Sequence, residues 1–218
     1  MSNIEFAEEY FKTSNDAWLK LDIDFDVDQA QQEIKNIEKY YVAHRDGENH
    51  TGWTSCCLHG ISIDKTLGWE NYATAESNVT YSWTDLAYLV PSITNFWKNV
   101  FPVEGYKRIR FMKLDAGGQI KLHRDHDPEM LQHYNVYRDG IAVNLAITHP
   151  DGCNMLFEGH GNVPWTPGSA MMLNVSKNHN VVNASNLPRV HMIAHAVIGN
   201  QKEKFADLLY RSYKKYHA

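Results

Sequence analysis

Two His-x-Asp triplets, His123-Arg124-Asp125 and His149-Pro150-Asp151, are the residues whose types and spacing could do chemistry in this 218-residue chain. An imidazole and a carboxylate two positions apart can point the same way at a strand end. They then furnish most of a two-histidine, one-carboxylate face for non-haem Fe(II), which leaves coordination positions open. With twelve histidines in the chain, about one such triplet arises by chance, so context must choose between them. His149 is followed by Pro150, Asp151 and Gly152, turn residues throughout, and reads as a solvent turn capped by Asp151. His123 instead ends the run 119–123, in which Ile120 and Leu122 face one side and His123 the other. Asp125 follows where that strand breaks, and it is preferred to Asp127 as a ligand because position i+2 returns a side chain to the strand face.

The second imidazole must come from a distant strand, and His179 stands where a new one begins. Ten residues on, Arg189 opens a run whose alternation puts Arg189, His191, Ile193 and His195 on one face. A guanidinium turned into a barrel is costly unless an anion meets it, and a bidentate carboxylate is its natural partner. His191, on the same face, is a candidate for lining the cavity. His44, His50, His59, His160 and His217 carry no pattern and read as surface or core residues, and Trp53 is a candidate pocket wall.

Other chemistries find less support. Gly117-Gly118 lies between two strands and does not lead into a helix, so it is a turn and not a phosphate cradle. No serine lies in a GxSxG elbow, and Cys56, Cys57 and Cys153 form neither a disulfide framework nor a CxxC metal pair. A formal charge of -5 argues against affinity for nucleic acid or anionic lipid. The expectation is a soluble, cytoplasmic protein with no membrane partner, which demotes the NxS/T triplets at Asn49, Asn78 and Asn183 to coincidence.

The elements that must position these residues divide the chain into three. Residues 1–106 read as a support region, with a helix over 28–42 and another opening at Pro91, where Ile93, Phe96, Trp97 and Val100 form an apolar stripe. Residues 107–198 read as short strands over 108–114, 119–123, 141–148, 153–158, 170–175, 180–183 and 189–197, with turns at 116–118, 149–152 and 166–169. The spacing leaves no room for crossover helices, so a parallel doubly wound sheet is excluded there. Residues 199–218 carry a final amphipathic helix over 201–216. One domain is expected, mainly β with flanking helices.

The ordered set of residues resembles a known family. It comprises Arg110-Phe111-Met112-Lys113-Leu114-x-x-Gly117-Gly118-x-Ile120-x-Leu122-His123-Arg124-Asp125, then Asn144-Leu145-Ala146-Ile147-Thr148, then Trp165-x-Pro167-Gly168. It ends with His179-x-Val181-x-Asn183-x-Ser185-x-x-x-Arg189-x-His191-Met192. Together these are similar to the aspartyl/asparaginyl β-hydroxylase-type branch of Fe(II)/2-oxoglutarate dioxygenases, which includes hydroxylases of free amino acids such as proline.

The resemblance implies a double-stranded β-helix, the cupin-like jelly roll, with helices supporting its outer face. It implies Fe(II) held by His123, Asp125 and His179, and 2-oxoglutarate bound through Arg189. O2 would be the oxidant, ascorbate a supporting reductant, and an aliphatic C–H of an amino acid, free or within a protein, the site of hydroxylation. Family strands corresponding to 141–148 often carry Arg-x-His for the co-substrate's other carboxylate, where this chain has Ala142-x-Asn144. Asn144 can hydrogen-bond a carboxylate without neutralising it, so Arg138 is the candidate for the missing charge, with a salt bridge to Asp139 as its alternative. The segment 124–140 is the expected substrate lid. A cupin-like metal enzyme without 2-oxoglutarate has no need of Arg189, and a noncatalytic jelly-roll module has no need of a complete triad.

Overall fold

The structure, a computed structural model, describes residues 1–45, 50–125 and 135–217. It opens with α1 (Asn3–Thr13), started by a capping box in which the Glu5 N–H donates to Ser2 Oγ at 3.2 Å and the Ser2 N–H to Glu5 Oε2 at 2.6 Å. β1 (Trp18–Leu21) and α2 (Val27–Glu33) follow, and α2 tightens into a 3₁₀ helix over Ile34–Tyr40. β2 (Val42–Ala43), β3 (His50–Gly60) and β4 (Ser82–Trp83) precede α3 (Leu86–Leu89) and α4 (Pro91–Asn95). The buried Glu33 carboxylate accepts from the Ser92 and Ile93 N–H groups at 2.9 and 3.2 Å, an anion at the open start of α4. Beyond α4 the chain winds as a wider π turn over Phe96–Val100. The phase therefore slips, and Val100 leaves the buried stripe that Ile93, Phe96 and Trp97 keep.

The remaining strands are β5 (Gly105–His123), β6 (Ile141–Thr148), β7 (Cys153–Phe157), β8 (Gly161–Asn162), β9 (Ala170–Leu173), β10 (His179–Asn183) and β11 (Arg189–Val197). A short helix, α5 (Val136–Asp139), precedes β6, and α6 (Lys202–Tyr216) ends the described chain. Pairing is antiparallel in the order β1-β9-β6-β11-β5-β10-β7-β8, with β3 on the other side of β5.

One strand joins the two walls. The first half of β5 pairs with β11 from Gly105 to Leu114, and its last residues pair with β10 from Gln119 to His123. The two strands expected at 108–114 and 119–123 are thus one strand, and the expected turn is a bend inside it. Gly117 takes φ +72°, and a Cβ on Gly118 would stand 2.9 Å from the Asp115 and Thr51 carbonyls, so only glycine fits there. β11, β6 and β9 form one wall with the first half of β5; β10, β7 and β8 form the other with its last residues. This is the expected double-stranded β-helix.

The alternation of β11 divides its neighbours into two cores. Val190, Met192, Ala194 and Ala196 join the outer core with Phe205, Leu208 and Leu209 of α6 and Ala7 of α1. Leu114, Ile120, Met155, Phe157, Trp165 and Val181 pack between the walls. Among the described residues, no helix is long and apolar enough to cross a membrane.

Candidate metal centre and its cavity

His123 and His179 are direct partners in the register between β5 and β10. The two residues from His179 to Val181 oppose the three from His123 to Ile120, so β5 carries a bulge around Lys121 and Leu122. The bulge turns His123 to the same side as the buried Ile120 while Leu122 goes to solvent, half exposed. This corrects the expectation that Ile120 and Leu122 share a face, because the extra residue breaks the two-residue period just before the site.

His123, Asp125 and His179 present one ligand atom each, all within 4.8 Å of one another, and His123 Nε2 stands 3.6 Å from Asp125 Oδ1. Ligands at ~2.1 Å from one metal ion lie about 3 Å apart, so side-chain shifts of roughly 1–2 Å close the set. Both rings are oriented by the same device. Their Nδ1–H groups donate to a carbonyl two residues earlier, Lys121 for His123 at 2.8 Å and Lys177 for His179 at 2.9 Å, which leaves each Nε2 lone pair free. Burial lowers the pKa of His179 below the usual imidazole range and so favours its neutral, liganding form. The Asp125 N–H donates to the Val175 carbonyl at 2.9 Å, which fixes the backbone as it leaves β5.

Arg189 lies on the wall of the cavity that the triad also lines, and it is 2 % exposed. Its Nε is buried without a hydrogen-bond partner, and no described carboxylate pairs with it. Burial alone drags its pKa down to about 10. A carboxylate would relieve that cost and satisfy the open nitrogen, so the site fits the distal group of a 2-oxoglutarate molecule. The histidine pair and carboxylate equally fit Fe(II), a borderline ion content with mixed nitrogen and oxygen donors.

Arg189 is held from behind. Its Nη2–H donates to His191 Nδ1 at 2.8 Å, the His191 Nε2–H donates to His149 Nδ1 at 3.0 Å, and the His149 Nε2–H donates to the Cys153 carbonyl at 2.8 Å. Only neutral rings satisfy this chain, and burial pushes His149 down to about 4 and His191 well below the usual range. Two expectations change here. His191 does not line the cavity but stands behind Arg189, and His149, though it begins the predicted turn, sends its ring inward instead of into solvent.

The remaining expectations sort by position. Asn144 is buried on the cavity wall with its Oδ1 unpartnered, and Ala142 lines the wall beside it. Trp53 also lines the cavity. Arg138 does not. Its side chain is 73 % exposed and its Nε and Nη2 donate to Asp139 Oδ1 and Oδ2 at 2.8 and 2.9 Å. The adjacent carboxylate satisfies Arg138 in solvent and removes it as the source of the cavity's missing charge. Asp127 and the middle of the expected lid lie outside the described residues.

Sequence reasoning also passed over cavity residues. His44, Arg108 and Arg110 line it, because β3 packs beside the first half of β5 and His44, just past β2, donates its N–H to the Trp53 carbonyl of β3. The alternation that placed Arg189 inward also places Arg108 and Arg110 inward, and it was the signal that could have found them.

The sequence profile of the aspartyl/asparaginyl β-hydroxylase family matches residues 18–197, from the first residue of β1 to the last of β11. No curated protein matches the chain. Among solved structures, the chain is similar to an oxidoreductase of the 2OG-Fe(II) oxygenase family from Burkholderia pseudomallei, with a TM-score of 0.52 at 10% identity over 92% of this chain and 94% of that one. It is also similar to a Pseudomonas putida prolyl-4-hydroxylase, with a TM-score of 0.48 at 12% identity over 89% of this chain and 98% of that one. A prolyl hydroxylase from Trichoplax adhaerens gives 0.49 at 9% identity over 93% of both chains. The Burkholderia likeness bears on the fold, and it agrees with the two-walled strand order described above.

Proposed function

The chain belongs to the aspartyl/asparaginyl β-hydroxylase family, and from that premise we propose that His123, Asp125 and His179 hold its Fe(II) while Arg189 receives the distal carboxylate of 2-oxoglutarate. The reaction is the Fe(II)- and 2-oxoglutarate-dependent hydroxylation of an aliphatic C–H of an amino acid, with O2 as oxidant. The observation that carries the residue assignment is a single cavity. Its lining presents three ligand atoms within 4.8 Å of one another together with a buried guanidinium that lacks an anion.

When bound, the iron and 2-oxoglutarate supply the oxidising chemistry. The protein's part is binding, orientation and electrostatics. The Lys121 and Lys177 carbonyls hold the two imidazoles in the tautomer that leaves Nε2 available. Arg189 offers a desolvated, bidentate donor, and the His191–His149 pair fixes its direction without competing for the anion. Asn144 adds a buried amide on the neighbouring strand β6, able to donate to a second carboxylate oxygen. Met155, Val181 and Ile120 line the wall near the triad with apolar surface, which limits water at the reacting position.

The test is to incubate the purified chain with Fe(II), 2-oxoglutarate and ascorbate and to measure succinate. Succinate formation that requires added Fe(II) and is lost in His179→Ala is expected. Succinate formed equally by the parent and by His179→Ala would move the metal elsewhere.

A further inference from the structure

The cavity has a floor and a rim. Trp18, Leu173, Ala142, His195 and Arg108 pair in one row across β1, β9, β6, β11 and β5. Arg189 pairs with Leu114, six residues further along β5, which is roughly 20 Å of strand. The segments that leave the strands beyond the row form the rim: 14–17 before β1, 174–178 after β9 and 61–81 after β3. The triad is at this end, since the Asp125 N–H donates to the Val175 carbonyl. A co-substrate anchored on Arg189, its carboxyl carbons about 5 Å apart, leaves the rim to the substrate. Besides Asp125, the carboxylates that line the cavity are Asp16 and Glu70, in the rim segments at the two edges of the wall. Among the described residues neither pairs with a lysine or arginine, Arg108 included.

Asp16 accepts from the Tyr10 hydroxyl at 3.1 Å, whereas the Glu70 carboxylate has no donor among the described residues. Its segment is nevertheless held in place. At one foot the Arg110 Nη1–H donates to the Thr66 carbonyl at 2.9 Å, and His44 Nδ1 lies 3.0 Å from Thr66 Oγ1. At the other foot Lys107 pairs with Glu76 at 2.9 Å. Between them the Leu67 N–H donates to the Tyr72 hydroxyl at 3.1 Å, and Trp69–Asn71 wind as a 3₁₀ turn. A Cβ on Gly68 would collide with the Glu70 carboxylate, so the glycine is what lets this carboxylate fold back over its own turn. Trp69 lines the cavity beside it. A lone carboxylate offers a hard metal ion too few oxygens, but a carboxylate next to an indole suits an organic cation, which gains from both the charge and the ring face. We propose that Glu70, with Trp69, is a specificity-determining residue that receives a cationic group of the substrate, an ammonium or a guanidinium, at the rim. This deepens the iron and 2-oxoglutarate reading and rests on it.

The experiment is a binding titration of the full chain, loaded with Mn(II) and saturating 2-oxoglutarate, against matched cationic and neutral probes. The pairs are L-lysine with L-norleucine, L-arginine with L-citrulline, and L-norleucine with N-acetyl-L-norleucine. The first two place the cation in the side chain, and are also offered as the middle residue of a capped alanine tripeptide; the third places it on the α-nitrogen. The parent is expected to bind the cationic member of at least one pair about fivefold or more tightly, as an ion pair at an open rim combined with a ring face allows. Glu70→Gln should reduce that preference to within about twofold, and Glu70→Lys should reverse it. Gly68→Ala, which keeps the charge but displaces the flexible carboxylate, should weaken the preference as well. All three variants should bind 2-oxoglutarate within about twofold of the parent, because none touches Arg189. A parent without preference in any pair, or a preference that survives Glu70→Gln or Gly68→Ala, would overturn the proposal and leave the iron and 2-oxoglutarate reading standing. If the parent itself fails to bind 2-oxoglutarate, that reading falls first and takes this inference with it.

Discussion

His123 and His179 are each oriented by a backbone carbonyl two residues earlier, Lys121 within β5 and Lys177 in the turn before β10, so no side chain is needed to set their tautomers. Replacing His123, Asp125 or His179 by alanine is expected to weaken Fe(II) binding at least ~100-fold, more than the loss of an outer hydrogen bond, whereas Asp151→Ala leaves it unchanged. Competition with a chelator of known affinity measures this. His191 touches Arg189 and does not line the cavity, so on the proposed reading it is a positioning residue. His191→Leu should raise the KM for 2-oxoglutarate about tenfold with kcat at saturation nearly unchanged, and His191→Gln, which can still accept from Arg189, should recover part of the loss. A fall in kcat with KM unchanged would place His191 elsewhere in the reaction. The juxtaposition of His123, Asp125 and His179 and the inward direction of Arg189 were legible in the sequence because each sits at or just past a strand end in a short local pattern. The partnership of His149 with His191 was not, because it depends on where the turn after β6 lies against β11, and residue spacing carries no such information.

At the scale of elements, the bend in β5 carries the chain from one wall to the other, and Asn183 of β10 pins it. Its Nδ2 lies 3.2, 3.0 and 2.8 Å from the Leu114, Asp115 and Leu187 carbonyls, tying the bend to the loop that leads into β11. Asn183→Ala is expected to cost about 2–4 kcal/mol, since it strands buried carbonyls, and Asn183→Asp should cost at least as much because a carboxylate cannot donate. Urea denaturation checks both, and a change under ~0.5 kcal/mol would show that the bend holds without the amide. Strands β6, β7 and β11 were legible because each has one face between the walls and one against an outer layer or solvent, which produces alternation. β3 escaped because its second half, Ser55 to Gly60, is buried on both faces and mixes serine, cysteine, histidine and glycine, so no period of two survives. The bulge before His123 was likewise invisible, since the same residues read as a regular strand until the partner strand's register is known.

For the whole molecule, the buried histidines make stability depend on acid. Burial holds His44 down to about 2 and His59 and His149 to about 4, against 6.5 for a free imidazole. Each binds its proton more readily in the unfolded chain, so stability is full above pH 6.5 and falls as the pH drops towards 4. Chemical denaturation midpoints across that window should fall steadily, and His59→Gln should flatten the dependence; a midpoint independent of pH between 6.5 and 4 would contradict the neutral, buried histidines. The overall fold was legible because the order of strands, turns and the closing helix follows from alternation and turn residues, while the depth of the cavity wall required the packing of β3 on β5. The measurement that tests the central claim most directly is calorimetric titration of 2-oxoglutarate, without oxygen, into the Mn(II)-loaded parent, Arg189→Met and His179→Ala. One molecule bound per parent chain is expected, with affinity lowered at least ~100-fold in Arg189→Met while Mn(II) stays bound, and metal and 2-oxoglutarate both lost in His179→Ala. Undiminished 2-oxoglutarate binding by Arg189→Met would contradict the assignment of its carboxylate to that guanidinium.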